Sequence, residues 1–102
     1  MTVDEFAATL TAAVPPAGLS RVLEGLWQAG RGRWDAAHVI VQDLPDADAA
    51  WVHAYLHRVE GDLWNAGYWY RQAGRPECRS SLEDEWRAIA QTLLAAESGA
   101  KP

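Results

Sequence analysis

The sequence predicts an all-α fold: six short antiparallel helices, forming two helical hairpins with a capping helix at each end. Three observations predict it. The chain is rich in alanine and poor in β-branched residues, which favours helix over strand. Six segments carry apolar residues at helical spacing, and cap or breaker residues separate them. The chain also repeats itself faintly, at the interval that separates Gly32 from Gly61. Gly32-Arg33-Trp34-Asp35-Ala36-Ala37 aligns with Gly61-Asp62-Leu63-Trp64-Asn65-Ala66, and Val22, Gly25 and Trp27 align with Trp51, Ala54 and Leu56. A period of roughly 30 residues carrying two amphipathic segments is the pattern of stacked helical hairpins.

The first helix is expected over Val3 to Ala13. Thr2 and Glu5 make a capping box, and Val3, Phe6, Ala7 and Leu10 share one face. Pro15-Pro16-Ala17-Gly18 ends it. The second runs from Leu19 to Ala29 with Val22, Leu23, Leu26 and Trp27 as its stripe, and Gly30-Arg31-Gly32 turns the chain. The third spans Trp34 to Asp43, burying Trp34, Ala37, Ile40, Val41 and Leu44. Pro45 breaks it, and Asp46 or Asp48 caps the next.

The fourth, Ala47 to Glu60, places Trp51, Val52, Tyr55, Leu56 and Val59 toward the core. Gly61 closes it and Asp62 caps the fifth, Leu63 to Ala73, whose buried set is Leu63, Ala66, Tyr70 and Ala73. A loop through Pro76 follows. Ser80 and Glu83 form a second capping box ahead of the sixth helix, Ser81 to Glu97, with Leu82, Trp86, Ile89 and Leu93 in register. Residues 1 to 97 thus read as one helical-repeat domain, and 98 to 102 as a frayed tail. Each helix shows one apolar stripe, which suits a two-layer array with polar caps at both ends.

The net charge of −5 and a pI near 5 argue against nucleic acid, since phosphate binding requires a basic face. Arg71, Arg75, Arg79 and Arg87 interleave with Glu77, Glu83, Asp84 and Glu85 and read as a solvated mixed surface. Cys78 is the single cysteine, which excludes an intrachain disulfide and a cysteine metal cluster. Asp4 and Glu5 stand where a signal peptide would be basic, and no apolar run approaches the ~18–20 residues of a membrane span. A cytoplasmic location without membrane contact is therefore expected. No motif implies a cofactor, and an enzyme is not the favoured reading.

Gly61-Asp62-Leu63-Trp64-Asn65-Ala66-Gly67-Tyr68-Trp69-Tyr70-Arg71-Gln72-Ala73 resembles the turn and second helix of a tetratricopeptide repeat, and Gly32 through Leu44 resembles it more weakly. The period from Gly32 to Gly61 is shorter than the ~34 residues of that family, and the first helices lack its tryptophan-leucine-glycine order. The stretch from Ala49 to Arg58 followed by Glu60-Gly61-Asp62 is also similar to a group of small bacterial proteins of unknown function. The tetratricopeptide likeness implies docking of a peptide or protein segment.

Two sets of side chains are candidates for that or another role. Trp64, Tyr68, Trp69 and Arg71 bring rings and a guanidinium to the fifth helix, the composition of a binding hot spot. They fit a protein or peptide partner, or a second copy in a homodimer. The competing expectation is that the sixth helix covers them. His53, His57 and Glu60 fall at i, i+4 and i+7 on one face of the fourth helix, opposite its apolar stripe. Two imidazoles a turn apart with a carboxylate are a possible divalent metal set, or an acid–base pair. Because one helix supplies at most three donors and His38 is the one further histidine, zinc is expected to bind weakly or not at all. Cys78, Ser80 and Ser81 lack the neighbours that would make a nucleophile.

Overall fold

The computed structural model describes residues 1–99, and these form six α-helices and one 3₁₀ turn. The helices are α1 (Val3–Ala8), α2 (Arg21–Gly30), α3 (Trp34–Gln42), α4 (Ala47–Val59), α5 (Leu63–Ala73) and α6 (Leu82–Gly99). The chain is 70% helical, with no strand among the described residues. α6 continues to Gly99, past the expected end at Glu97, and the rest of the expected fray, 100 to 102, lies outside the described residues.

Local chemistry sets most of the ends. The Thr2–Glu5 capping box opens α1 with both of its hydrogen bonds made. α1 is shorter than the sequence suggests. A 3₁₀ turn at Thr9–Thr11 replaces its last turn, because Thr9 Oγ1 donates to Phe6 O at 2.6 Å and accepts from Trp27 Nε1 at 3.0 Å. Ser20 caps α2, and Asp62 caps α5 by accepting from the Asn65 amide. Asp46 occupies the cap position of α4 without a side-chain bond. The cap of α6 falls on Ser81, not Ser80: Ser81 Oγ accepts from the Asp84 amide at 3.0 Å.

The sequence repeat is visible in the backbone. After α2, the amides of Arg31, Gly32 and Arg33 bond to the carbonyls of Trp27, Ala29 and Gln28. After α4, the amides of Glu60, Gly61 and Asp62 bond to Leu56, Arg58 and His57, which are the repeat equivalents of the same pairs. Gly32 (φ +77°) and Gly61 (φ +85°) sit at the left-handed position that ends each helix. Each turn folds the next helix back, so α2 pairs with α3 and α4 with α5 as antiparallel hairpins.

α4 lies at the centre, packed against α2, α3, α5 and α6. Every residue from Ala49 to His57 is consequently buried. This corrects the one-stripe reading of α4, and with it the two-layer array. Val59, expected in the stripe, is exposed instead.

α6 also departs from the expected cap. It lies against α1, α2 and α4 and inserts Trp86, Ile89 and Leu93 into the core. Trp86 stacks on Phe6 with ring centroids 5.5 Å apart, and its indole N–H donates to Leu26 O at 2.8 Å. Of the large side chains expected in the core, Trp51, Leu56, Tyr70 and Trp86 are buried and Trp34 is half-buried. Leu63 and Leu82 are exposed, each standing in the first turn of its helix where neighbours close over one side at most.

Candidate functional site

Because α6 takes the α2/α4 side, the outer face of α5 is left open. Trp64 is 77% exposed, Leu63 67% and Tyr68 41%. Trp64 and Tyr68 are one turn apart on one face, Arg71 is exposed on the next turn, and Leu63 is turned to the side of α5 that faces Leu82. The expectation that α6, through Trp86 and Leu82, covers these rings is overturned: Trp86 is sequestered among α1 and α2, and Leu82 is itself exposed. Trp69, assigned to the same ridge from sequence, is turned inward and half-buried. Its ring lies on His53 at 3.9 Å and 12°, and meets Tyr68 edge-on at 5.1 Å.

The second set lies under Trp69. The hairpin geometry brings α3 and α5 to the histidine face of α4, so that face is interior rather than solvent-facing. His53 is 4% exposed and His57 9%. His38 of α3 closes on them, with its Nε2 3.0 Å from His53 Nε2. One ring nitrogen from each of His38, His53 and His57 lies within 4.8 Å of the others. The rings are packed as aromatics: His53 stacks on His57 at 4.9 Å, and His38 stacks on Trp34 at 4.7 Å. Trp34 is in turn held by its indole N–H, which donates to Leu56 O at 2.6 Å.

Glu60 stands apart from that triangle. Its Oε2 lies 2.6 Å from His57 Nδ1, so it orients the ring from outside. A second acidic grouping, His57 with Glu60 and Asp62, is nearer the surface. Asp62 is already committed there: its two carboxylate oxygens accept from the Asn65 amide and side chain. Those two bonds hold its carboxyl below the usual range.

Burial pushes the basicity of His53 and His38 down. Desolvation first, and the neighbouring His38 and His57 second, lower His53 to about 4. His38 is lowered by burial and by His57. At neutral pH these two rings are uncharged, and their Nε2 atoms share an N–H···N hydrogen bond in which one ring donates and the other accepts.

The sequence reading missed one further polar group. Glu85, placed there in a solvated surface, is 2% exposed. It accepts from Arg58 Nη1 at 2.9 Å and from the Tyr70 hydroxyl at 2.5 Å. Arg58 also donates to Ser80 O. Burial and the Glu85 carboxylate hold the Tyr70 phenol well above its ordinary range, so it stays a donor. The network ties α4, α5 and the loop after α5 to α6. The signal for it was present: Glu85 lies one residue before Trp86 and one turn before Ile89, at the edge of the buried stripe.

Comparison of the chain with protein-family models, curated proteins and solved structures finds no match.

Proposed function

We propose that the chain is a non-catalytic interaction module of the helical-repeat type, acting in the cytoplasm, whose α5 ridge docks a protein or peptide segment. The observation that carries this is the bare ridge of Trp64 and Tyr68. The other five tryptophans are buried or half-buried, and the indole nitrogens of Trp27, Trp34 and Trp86 find acceptors. Trp64 is the exception in a chain that otherwise encloses its indoles. Contiguous exposed rings beside an arginine are the chemistry of an interface anchor, because a Trp or Tyr desolvates much apolar area at small entropic cost. The repeated hairpins supply a rigid support for that face, in keeping with the tetratricopeptide resemblance.

The partner favoured by this face is a segment carrying apolar anchors for Trp64 and Tyr68 and a carboxylate for Arg71. Selection from a random peptide library displayed on phage, with the Trp64→Ala/Tyr68→Ala chain as counter-target, tests the reading. Enriched peptides that bind the wild type, quench its tryptophan fluorescence and ignore the double variant support it. Concentration-dependent mass by light scattering, abolished in the double variant, makes the partner a second copy. A monomer for which no peptide is enriched overturns the proposal. The runner-up reading, metal binding through the histidine face, rests on a different set of residues.

A further inference from the structure

We infer that His38, His53 and His57 form a three-nitrogen site for a divalent first-row transition metal of the zinc class, with Glu60 as an outer carboxylate. This is independent of the ridge proposed above. It also changes the ligand set that the sequence suggests, since Glu60 moves out of the coordination triangle and His38 moves in.

The donor spacing is close to what such an ion requires. A tetrahedral ion with ~2.0–2.1 Å metal–nitrogen bonds holds its imidazole nitrogens a little over ~3 Å apart. The closest pair here, His38 and His53, is at 3.0 Å, and all three nitrogens lie within 4.8 Å. The His53 and His57 rings stack at 20°, so the third nitrogen takes its place when one of these rings turns its edge toward the ion. Two helices share the donors, α3 giving His38 and α4 giving His53 and His57. The sequence reading expected weak zinc binding, with three donors from one helix and His38 as the one available fourth; here His38 is within the triangle and Glu60 is outside it.

Preorganisation is the second observation. The rings of His38 and His53 are each laid flat against an indole, Trp34 and Trp69. His57 is oriented by Glu60, whose carboxylate on Nδ1 leaves Nε2 as the lone-pair nitrogen. A carboxylate behind a ligating histidine fixes its tautomer and raises its donor strength. Packing that holds uncharged imidazoles together is what a metal needs, since only the neutral ring ligates.

Three imidazoles and no thiolate select zinc, cobalt, nickel or copper over magnesium or calcium, which prefer oxygen. His38 is only half-buried, so it marks the side from which an ion and a fourth, non-protein ligand would enter. The rival set of His57, Glu60 and Asp62 is weaker, because the Asp62 oxygens are engaged in capping α5.

The test is calorimetric titration of the full, chelator-treated chain with zinc chloride, with cobalt(II) absorption as a second readout of coordination. Expected is one ion per chain with a submicromolar Kd, and an intense visible cobalt spectrum typical of tetrahedral nitrogen donors. His38→Asn, at a half-buried position, should weaken zinc by more than a hundredfold while the helical circular dichroism is kept. Glu60→Gln should weaken it ~10–100-fold, the range for an outer carboxylate. Asp62→Asn keeps the α5 cap and should leave the affinity unchanged. A Kd weaker than about 1 μM in the wild type overturns the inference. So does undiminished binding in folded His38→Asn, and so does loss of binding in Asp62→Asn, which would assign the ion to the rival carboxylate set.

Discussion

Single residues in this protein are decided by which neighbours reach them. Trp51 is buried in the α4 face turned to the core, and the Arg75 guanidinium lies 3.5 Å from its ring centroid. Trp51→Ala removes the ring and leaves a cavity, and is expected to cost about 3–5 kcal/mol, read as a lowered midpoint in urea unfolding. Glu85 is the polar counterpart. Glu85→Ala leaves Arg58 and the Tyr70 hydroxyl without their buried acceptor, and is expected to cost about 3 kcal/mol in the same measurement. His53 ties stability to pH in the metal-free chain. It titrates near 4 in the fold and near the ordinary 6.5 when unfolded. Between these values the unfolded chain binds the extra proton, so stability falls as pH falls from about 6.5 to about 4. It is level above that window and has lost on the order of 2–3 kcal/mol below it. Unfolding in denaturant at pH 7, 5.5 and 4 checks this, with His53→Asn expected to flatten the slope.

Helices and turns carry the strongest link between sequence and structure. The turns at Gly32 and Gly61 share one hydrogen-bond pattern because the same chemistry recurs at equivalent places in the repeat: a glycine for the left-handed residue, with the next helix beginning just beyond it. Gly25 has a different reason. It lies where α2 meets α3, and a Cβ there would stand 2.7 Å from Val41 Cγ1. Val41 is buried and has little room to yield. Gly25→Ala is therefore expected to destabilise by about 1–3 kcal/mol despite the better helix propensity of alanine, as thermal melts would show. Ala54 holds the equivalent place in the second hairpin and is fully buried. The α6 boundary shows the limit of local reasoning: Ser80 and Ser81 are both plausible caps, and the choice fell on Ser81 while Ser80 gave its carbonyl to Arg58.

At the scale of the molecule, the placement of α6 divides inside from outside. A cap stacked on α5 would have covered its Trp64 and Tyr68 face. Instead α6 closes the α2/α4 side, α4 becomes interior, and the α5 ridge stays bare. The radius of gyration, 12.7 Å, is that of a closed domain of this length rather than an extended array. If the ridge is functional surface rather than packing, Trp64→Ala/Tyr68→Ala should change stability by less than about 0.5 kcal/mol per site in denaturant unfolding. A large loss would mean that the rings support the fold.

Helix number, most boundaries, the hairpin turns and the all-α class were legible in the sequence, because each depends on residues within a few positions of one another: Thr2 with Glu5, Asp62 with Asn65, Gly61 with Arg58. That Trp64 and Tyr68 point off the α5 stripe was legible for the same reason, but their exposure was decided by where α6 packs. What only the tertiary structure decided is how faces meet. His53 and His57 read as a surface pair from one helix, and they became interior when α3 and α5 closed over them. Glu85 read as solvated, and it was buried when Arg58 and Tyr70 came from two other elements to partner it. Side-chain periodicity states which residues share a face. Which face another helix covers depends on contacts distant in sequence, and no single amphipathic stripe specifies them.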